Sequence, residues 1–384
     1  MQRFINSPRF DYHPANHDMK SKLIYMSWAL TFVTVMGCVF WPAHAPAQKP
    51  AAGTPPAAAY RSYAPSTSRE GFPYRGVTIQ LQRTDWIEKY KTSINEIAAT
   101  GADTVSFVID TRMENGTSSH IWLDVRTTPT PDQLGTLIDH AKSRGLRVMV
   151  MPVVLLQSPK NDEWRGTIKP DNWDDWWSSY REMIIHFAWI SQGHKVDILC
   201  VGSELVSTED KGREWMRTIE EVRQVFSGKL TYSANWDHYS SIPFWHRLDM
   251  IGMNSYWKLG KDHRATVAEM KASWKKIQED VLDFQQKEGK PLLFTEVGWC
   301  SLSNAAHEPW DYTKVSEDLD LDLQKRLYQA FFETWNGNPS LGGFMVWEWP
   351  PDSGGPNNKG YIPKGKPAEG ILREWMGKPR WQVK

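Results

Sequence analysis

Short apolar, β-branched runs recur along the chain from residue 76 onward. They are GVTIQ (76–80), DTVSFVID (103–110), RVMVMPVV (147–154), DILCVGSE (197–204), KLTYSAN (229–235), MIGMNSY (250–256), PLLFTEVGW (291–299) and GGFMVWEW (342–349). Runs apolar at successive positions suit strands covered on both faces, as in a parallel sheet wrapped by helices. Between them lie stretches with apolar residues three and four apart, which predict helices over 86–100, 131–143, 174–191, 209–226, 266–286, 319–335 and 367–376. In the second of these, Leu134, Leu137, Ile138 and Ala141 share a face, and Gly145 stops the helix. The link after the fifth run, 236–249, is short. Eight alternations of strand and helix predict an α/β fold, a (β/α)₈ TIM barrel in a single domain over 73–384. A doubly wound open sheet is the rival, but GVTIQLQRTD carries no Gly-rich phosphate loop after the first strand.

Residues 1–72 follow a different pattern. An almost uncharged apolar run from Leu23 to Trp41 is preceded by Lys20 and Lys22 and followed by Ala43, Ala45 and Ala47. A basic start, an apolar middle and an A-x-A end describe an export signal over 1–47. Ala45-Pro46-Ala47 fits the cut better than Ala43-His44-Ala45, which would place Pro46 just after the scissile bond. The length of the run also suits a retained signal anchor, and Val35-Met36-Gly37-Cys38 resembles a lipobox with Cys38 as the lipidated residue. All three readings export the rest of the chain, to the cell envelope or beyond it, and two tether it to a membrane. The Pro-, Ala- and Ser-rich stretch 48–72 reads as a linker.

Charge narrows the function. The 384 residues hold 45 Lys and Arg against 45 Asp and Glu, so no basic excess is present to neutralise phosphates, and a nucleic-acid partner is not expected. Three cysteines exclude a disulfide scaffold, and Cys200 and Cys300 read as small buried hydrophobes. No HExxH or similar tight ligand pattern occurs, so neither a metal nor a cofactor is expected. The outlier is 21 Trp. Most are expected to fill the core, and a minority to line a cleft where flat apolar faces suit sugar rings.

In a TIM barrel, function sits at the carboxyl ends of the strands. The fourth run ends in Glu204 and the seventh reaches Glu296. A carboxyl after an apolar strand is costly unless partnered or functional. Singly, each reads as a structural acid bonded to a strand-end amide or an Arg. As a pair on strands across the barrel mouth, they read as the two carboxyl groups of a glycosidase. Asn235, Trp236, Tyr256, Trp257, Trp299, Trp347 and Trp349 stand at other strand ends as candidates for holding sugar, with Trp347 favoured over Trp349. Trp164 and Arg165 lie in the long loop after the third run, where Arg165 either pairs with a carboxylate of the site or braces the loop. His238 is the histidine nearest these strand ends in sequence.

WRGTI (164–168) with Trp173 to Tyr180, VGSELVS, SANW and FTEVGW together resemble glycoside hydrolase family 113, whose known members are mainly β-1,4-mannanases. The similarity extends over most of 76–377, including Gly360-Tyr361 and Lys366-Pro367-Ala368. The resemblance implies a retaining hydrolase acting on a β-linked polysaccharide or oligosaccharide, β-1,4-mannan first. It implies Glu204 as acid/base, Glu296 as nucleophile and Tyr256 as the hydrogen-bond donor that holds Glu296. One position departs from the wider clan: Ser203 stands where Asn usually precedes the acid/base and contacts the sugar 2-hydroxyl, and Asn235 is the available substitute. That departure keeps two other readings open, a carbohydrate-binding barrel with weak turnover and a transglycosylase that remodels envelope glycans.

Overall fold

The computed structural model describes residues 71–378 apart from Val315. The predicted export segment and the linker up to residue 70 lie outside these residues. Eight parallel strands close into a ring: β1 (Tyr74–Leu81), β2 (Thr104–Met113), β4 (Arg147–Leu156), β5 (Ile198–Ser203), β6 (Lys229–Ala234), β7 (Ile251–Asn254), β8 (Leu292–Val297) and β9 (Leu341–Val346). Closure comes from β1, which pairs with β2 through Gly76–Leu81 and with β9 through Tyr74–Val77. The two-residue strand β3 (Ile121–Trp122) is an addition, antiparallel to the end of β2.

The helices are α1 (Ile87–Ala99), α2 (Pro131–Ser143), α3 (Trp173–Gly193), α4 (Gly212–Val225), α5 (Val267–Glu288), α6 (Leu321–Trp335) and α7 (Pro367–Met376). The link between β6 and β7 holds only 3₁₀ turns at Tyr239–Ser241 and Trp245–Arg247, as its length predicts. Local chemistry sets the helix starts. Thr130 with Gln133, and Thr266 with Glu269, form reciprocal capping boxes, and the Asn172 side chain caps α3.

The strands split the apolar residues into two layers. Inside the ring lie Val108, Met149, Met151, Leu155, Ile198, Cys200, Met250, Leu293 and Met345. Between ring and helices lies a larger, aromatic-rich layer, in which Trp176, Trp177, Tyr180, Trp215, Tyr232 and Phe244 pack ring to ring behind β5 and β6. Among the described residues nine tryptophans are buried in this layer, and Cys200 and Cys300 are buried free thiols.

The amino-terminal end of the ring is tied by one buried acid. Asp103 accepts from Arg75 N at 3.0 Å, Arg75 Nε at 3.4 Å, Arg147 Nη2 at 2.6 Å and Thr104 Oγ1 at 2.6 Å. Arg147 also lies over the Tyr74 ring, 3.8 Å from its centroid. This network joins the starts of β1, β2 and β4, on the face of the barrel that serves stability rather than chemistry. Removing the acid strands two buried guanidinium groups. Asp103→Ala is expected to destabilise the barrel by about 3–5 kcal/mol in guanidinium unfolding, with activity per folded molecule unchanged.

Candidate active site

At the carboxyl end of the ring, regular strand pairing breaks in three strands. The register slips between Cys200 and Ser203 in β5, between Met253 and Asn254 in β7, and between Phe294 and Val297 in β8. Irregularities of this kind re-aim side chains. Phe294 and Val297 both pack in the outer layer, so the slip between them turns Glu296 toward the mouth, where strict alternation from Phe294 would send it outward. In β5, Val201 packs outward, and a Cβ at Gly202 would stand 2.7 Å from the Trp215 ring and 2.8 Å from the Tyr180 hydroxyl. Only glycine fits there, and two residues later Glu204 enters the mouth.

Glu204 has φ +52°, in the left-handed region that a residue with a side chain rarely occupies. Such a conformation costs roughly 1–3 kcal/mol and persists when its surroundings fix it. Glu204 N donates to Ser233 O at 2.8 Å. Leu205 N donates to the Tyr232 hydroxyl at 2.9 Å, and that hydroxyl donates to Glu209 Oε1 at 2.9 Å. Burial holds the Glu209 carboxyl up at about 7, against the Tyr232 hydrogen bond and with Glu204 adding to the rise.

The two predicted carboxyl groups have unlike partners. Glu204, fully buried, accepts from Arg165 Nη2 on Oε2 and from Asn254 Nδ2 on Oε1. Glu296 accepts from the Tyr256 hydroxyl at 2.8 Å. Burial, and then the nearby charge of Glu204, push the Glu296 carboxyl well above the usual carboxylate range, against the pull of Arg165 and of the Tyr256 hydrogen bond. Burial works against the Arg165 charge, but Glu204 and Glu296 outweigh it and hold the guanidinium above its ordinary value. Arg165 is thus the cation that both acids share, and of the two sequence-based readings of this residue the structure favours pairing with the site. Its loop is held locally: Thr167 N donates to Trp164 O at 2.9 Å, and a Cβ at Gly166 would meet the Trp164 ring at 2.2 Å.

Asn254 is the hub that sequence reasoning passed over. Its amide donates to Glu204 and, at 3.0 Å, to Asn235 Oδ1, while its Oδ1 accepts from Trp236 N at 2.8 Å. Asn235 is therefore brought to the site. Ser203 is buried, and its hydroxyl has no hydrogen-bond partner among the described residues.

The aromatic candidates divide. Trp236 stays half-buried and stacks on Trp310, with ring centroids 6.0 Å apart and an interplanar angle of 17°. Trp347 is half-buried beside Tyr256 and Tyr361, and Trp164 is also half-buried. Trp299 is a correction. It lies fully buried in the outer layer, edge-on to Tyr328 at 5.2 Å, and cannot reach a sugar. β8 ends at Val297, so the chain has already turned onto α6 at Trp299. Trp349 is likewise buried, with Nε1 donating to Glu96 at 2.8 Å, and Trp257 packs on Trp274 and Phe294. β9 ends at Val346, so strand alternation no longer governs 347–349. His238 Nδ1 lies 3.9 Å from Glu209 Oε2.

Four further groups join the site without a sequence signal strong enough to find them. Trp310 and Tyr312 come from the loop after β8 and pack on the cluster of Tyr256 and Tyr361. Asp110, at the end portion of β2, accepts from Gln80 Nε2 at 2.8 Å and from Arg112 Nη2 at 3.2 Å. Burial lifts its carboxyl to about 6, against those two partners and Arg165. Glu348 is lifted to about 8 by burial and then by Glu296 and Asp110. Among the described residues, no group of three or more His, Cys, Asp or Glu is arranged to hold a metal ion.

A family model described as Glycoside Hydrolase Family 113 matches residues 77–366. Two solved structures of family 113 β-1,4-mannanases are 24% and 25% identical to this chain, each over 80% of it and 100% of their own chains, both with a TM-score of 0.73. A family 113 β-mannanase from Alicyclobacillus acidocaldarius is 26% identical over 81% of this chain and 99% of its own, with a TM-score of 0.72. No curated protein matches the chain.

The bracing of Glu204 is open to test. Tyr232→Phe leaves the Leu205 N–H without an acceptor and Glu209 without a donor. It is expected to cost about 1–3 kcal/mol of stability in urea unfolding. In hydrogen-exchange mass spectrometry it is expected to speed exchange around Leu205 while leaving β4 protected.

Proposed function

The chain belongs to glycoside hydrolase family 113 and is a glycoside hydrolase, and we propose that it cleaves β-1,4-mannan, with retention of anomeric configuration, through Glu204 and Glu296. The observation that carries this reading is the division of partners between the two acids. Glu204 is gripped by a cation and an amide, and Glu296 by a single phenol. The matched β-mannanases support mannan as the substrate.

In the first step, Glu296 attacks the anomeric carbon while Glu204 gives its proton to the departing glycosidic oxygen. The C–O bond to the leaving sugar breaks and a glycosyl ester forms on Glu296. In the second step, Glu204 takes a proton from water, the water oxygen attacks the same carbon, and Glu296 is released as a carboxylate. Glu204 and Glu296 share one guanidinium, and the charge of Glu204 acts on Glu296. In the empty site burial, and then the charge of Glu204, raise the Glu296 carboxyl. Positive charge growing at the anomeric carbon opposes that rise, because it stabilises the anion of the carboxyl facing it. Arg165 must then loosen from Glu204 Oε2, the oxygen it occupies in the free enzyme. Trp236, Trp347 and Trp164 offer flat faces to the sugar chain, and Asn235 stands in for the clan's Asn at the Ser203 position. Export through 1–47, with 48–72 as a linker and 73–384 as the catalytic domain, belongs to the same proposal.

The test is hydrolysis of mannan, xylan and β-glucan followed by reducing ends, with product configuration read by proton NMR. Mannan should give the highest rate and the first-formed product should be β. Glu296→Gln should lower kcat by about 10³-fold or more, and an unaffected rate would remove Glu296 as nucleophile. Tyr256→Phe removes a donor that favours ionised Glu296, so the Glu296 pKa rises further. The acid limb of the kcat/KM profile should therefore move to higher pH by about 1 unit.

A further inference from the structure

We propose that Glu348 is a substrate-binding residue that takes ring hydroxyl groups of the sugar held against Glu296, and so sets which hydroxyl stereochemistry is cleaved. This deepens the hydrolytic reading above and rests on it. Three observations lead there. The first is position. Glu348 follows β9, the strand beside β8 in the ring, and Trp347 N donates to Val297 O at 2.8 Å, which fixes the backbone next to Glu296. Gly298 makes room for that approach, since a Cβ there would stand 2.4 Å from Trp347 O.

The second is its surroundings. The charges that act on Glu348 are those of Glu296 and Asp110, one from each side of it round the barrel mouth. The third is the lack of a partner. No described residue donates a hydrogen bond to its carboxyl, whereas Glu204, Glu296, Asp110 and Glu209 all have protein donors. The residue is half-buried, just past the carboxyl end of β9.

A carboxyl partly withdrawn from water and without a protein donor keeps hydrogen-bonding capacity that a ligand can fill. Adjacent hydroxyls of a pyranose supply two donors at the spacing of a carboxyl's two oxygens, and the half-buried Trp347 beside it offers the ring an apolar face. A site built on such a bond rejects a sugar lacking the hydroxyl, because the carboxyl is then left unpaired.

The test uses the full chain and 4-nitrophenyl β-mannotrioside, with counterparts lacking the 2- or 3-hydroxyl on the ring that bears the nitrophenyl group. Glu348→Gln keeps the volume of the side chain, and near-ultraviolet circular dichroism confirms its fold. Glu348→Gln should lower kcat/KM by about tenfold and Glu348→Ala by about 100-fold. Removing the bonded hydroxyl should cost the wild type a similar factor and cost Glu348→Ala nothing further. Equal losses on deoxygenation in wild type and Glu348→Ala, or unchanged kinetics in both variants, would overturn the assignment while leaving the hydrolytic reading intact. If the wild type cleaves none of these substrates, that reading fails, and calorimetry with mannotriose then decides Glu348 alone. At least tenfold weaker binding to Glu348→Ala upholds its role; equal affinity, or no binding to either protein, overturns it.

Discussion

Two carboxyl groups sunk into the rim of a barrel repel each other and lose hydration, and the shared guanidinium of Arg165 is what allows them to stand together. Burial alone raises a carboxyl's pKa, and a second acid nearby raises it again. Arg165 opposes both effects from the loop after β4, reaching Glu204 directly and Glu296 through its field. The loop is built around that reach, with the Trp164 indole over Gly166 and no space for a larger residue beneath it. Behind Glu204, the aromatic layer of Trp215, Tyr180 and Tyr232 presses on Gly202 and anchors the backbone where φ turns positive. The outer core is thus continuous with the chemistry through one glycine and one tyrosine hydroxyl.

Unlike partners then separate the roles of like residues. Glu204 is held at both oxygens, by a cation and by Asn254, while Glu296 is held at one, by Tyr256. Glu296 therefore keeps one oxygen without a protein donor among the described residues. In the proposed double displacement that oxygen faces the anomeric carbon, and the guanidinium shifts from Glu204 when the glycosidic oxygen arrives. Burial raises the surrounding acids Asp110 and Glu348 as well, and positive charge developing on a substrate in the proposed reaction would favour their ionised forms.

The ring of strands was legible because each run is apolar on both faces, and Glu204 and Glu296 were legible because a carboxyl inside such a run is conspicuous. The same logic extended to Asn254, which interrupts the seventh strand of the chain, but an amide is a weaker anomaly than an acid and it was passed over. Trp299 stands at a strand end in the sequence, but β8 stops at Val297 and the indole lies in the outer layer, whereas of the pair Trp347 and Trp349 the favoured Trp347 is the one left half-buried. Register slips in β5, β7 and β8 decide which side chains enter the mouth, and they arise from contacts between strands distant in sequence; only Gly202 and Gly298 hint at them. Trp310 and Tyr312 reach the site from a long loop, whose course no periodicity describes.

The most direct measurement is to trap the covalent intermediate. A 2-deoxy-2-fluoro-β-mannosyl fluoride carries a good leaving group, and its fluorine slows release of the sugar from the enzyme. Peptide mapping by mass spectrometry then locates the added sugar. An ester on Glu296, formed with loss of activity and absent from Glu296→Gln, is the predicted result. A label on Glu204, Glu348 or any other side chain would contradict the assignment on which this account rests.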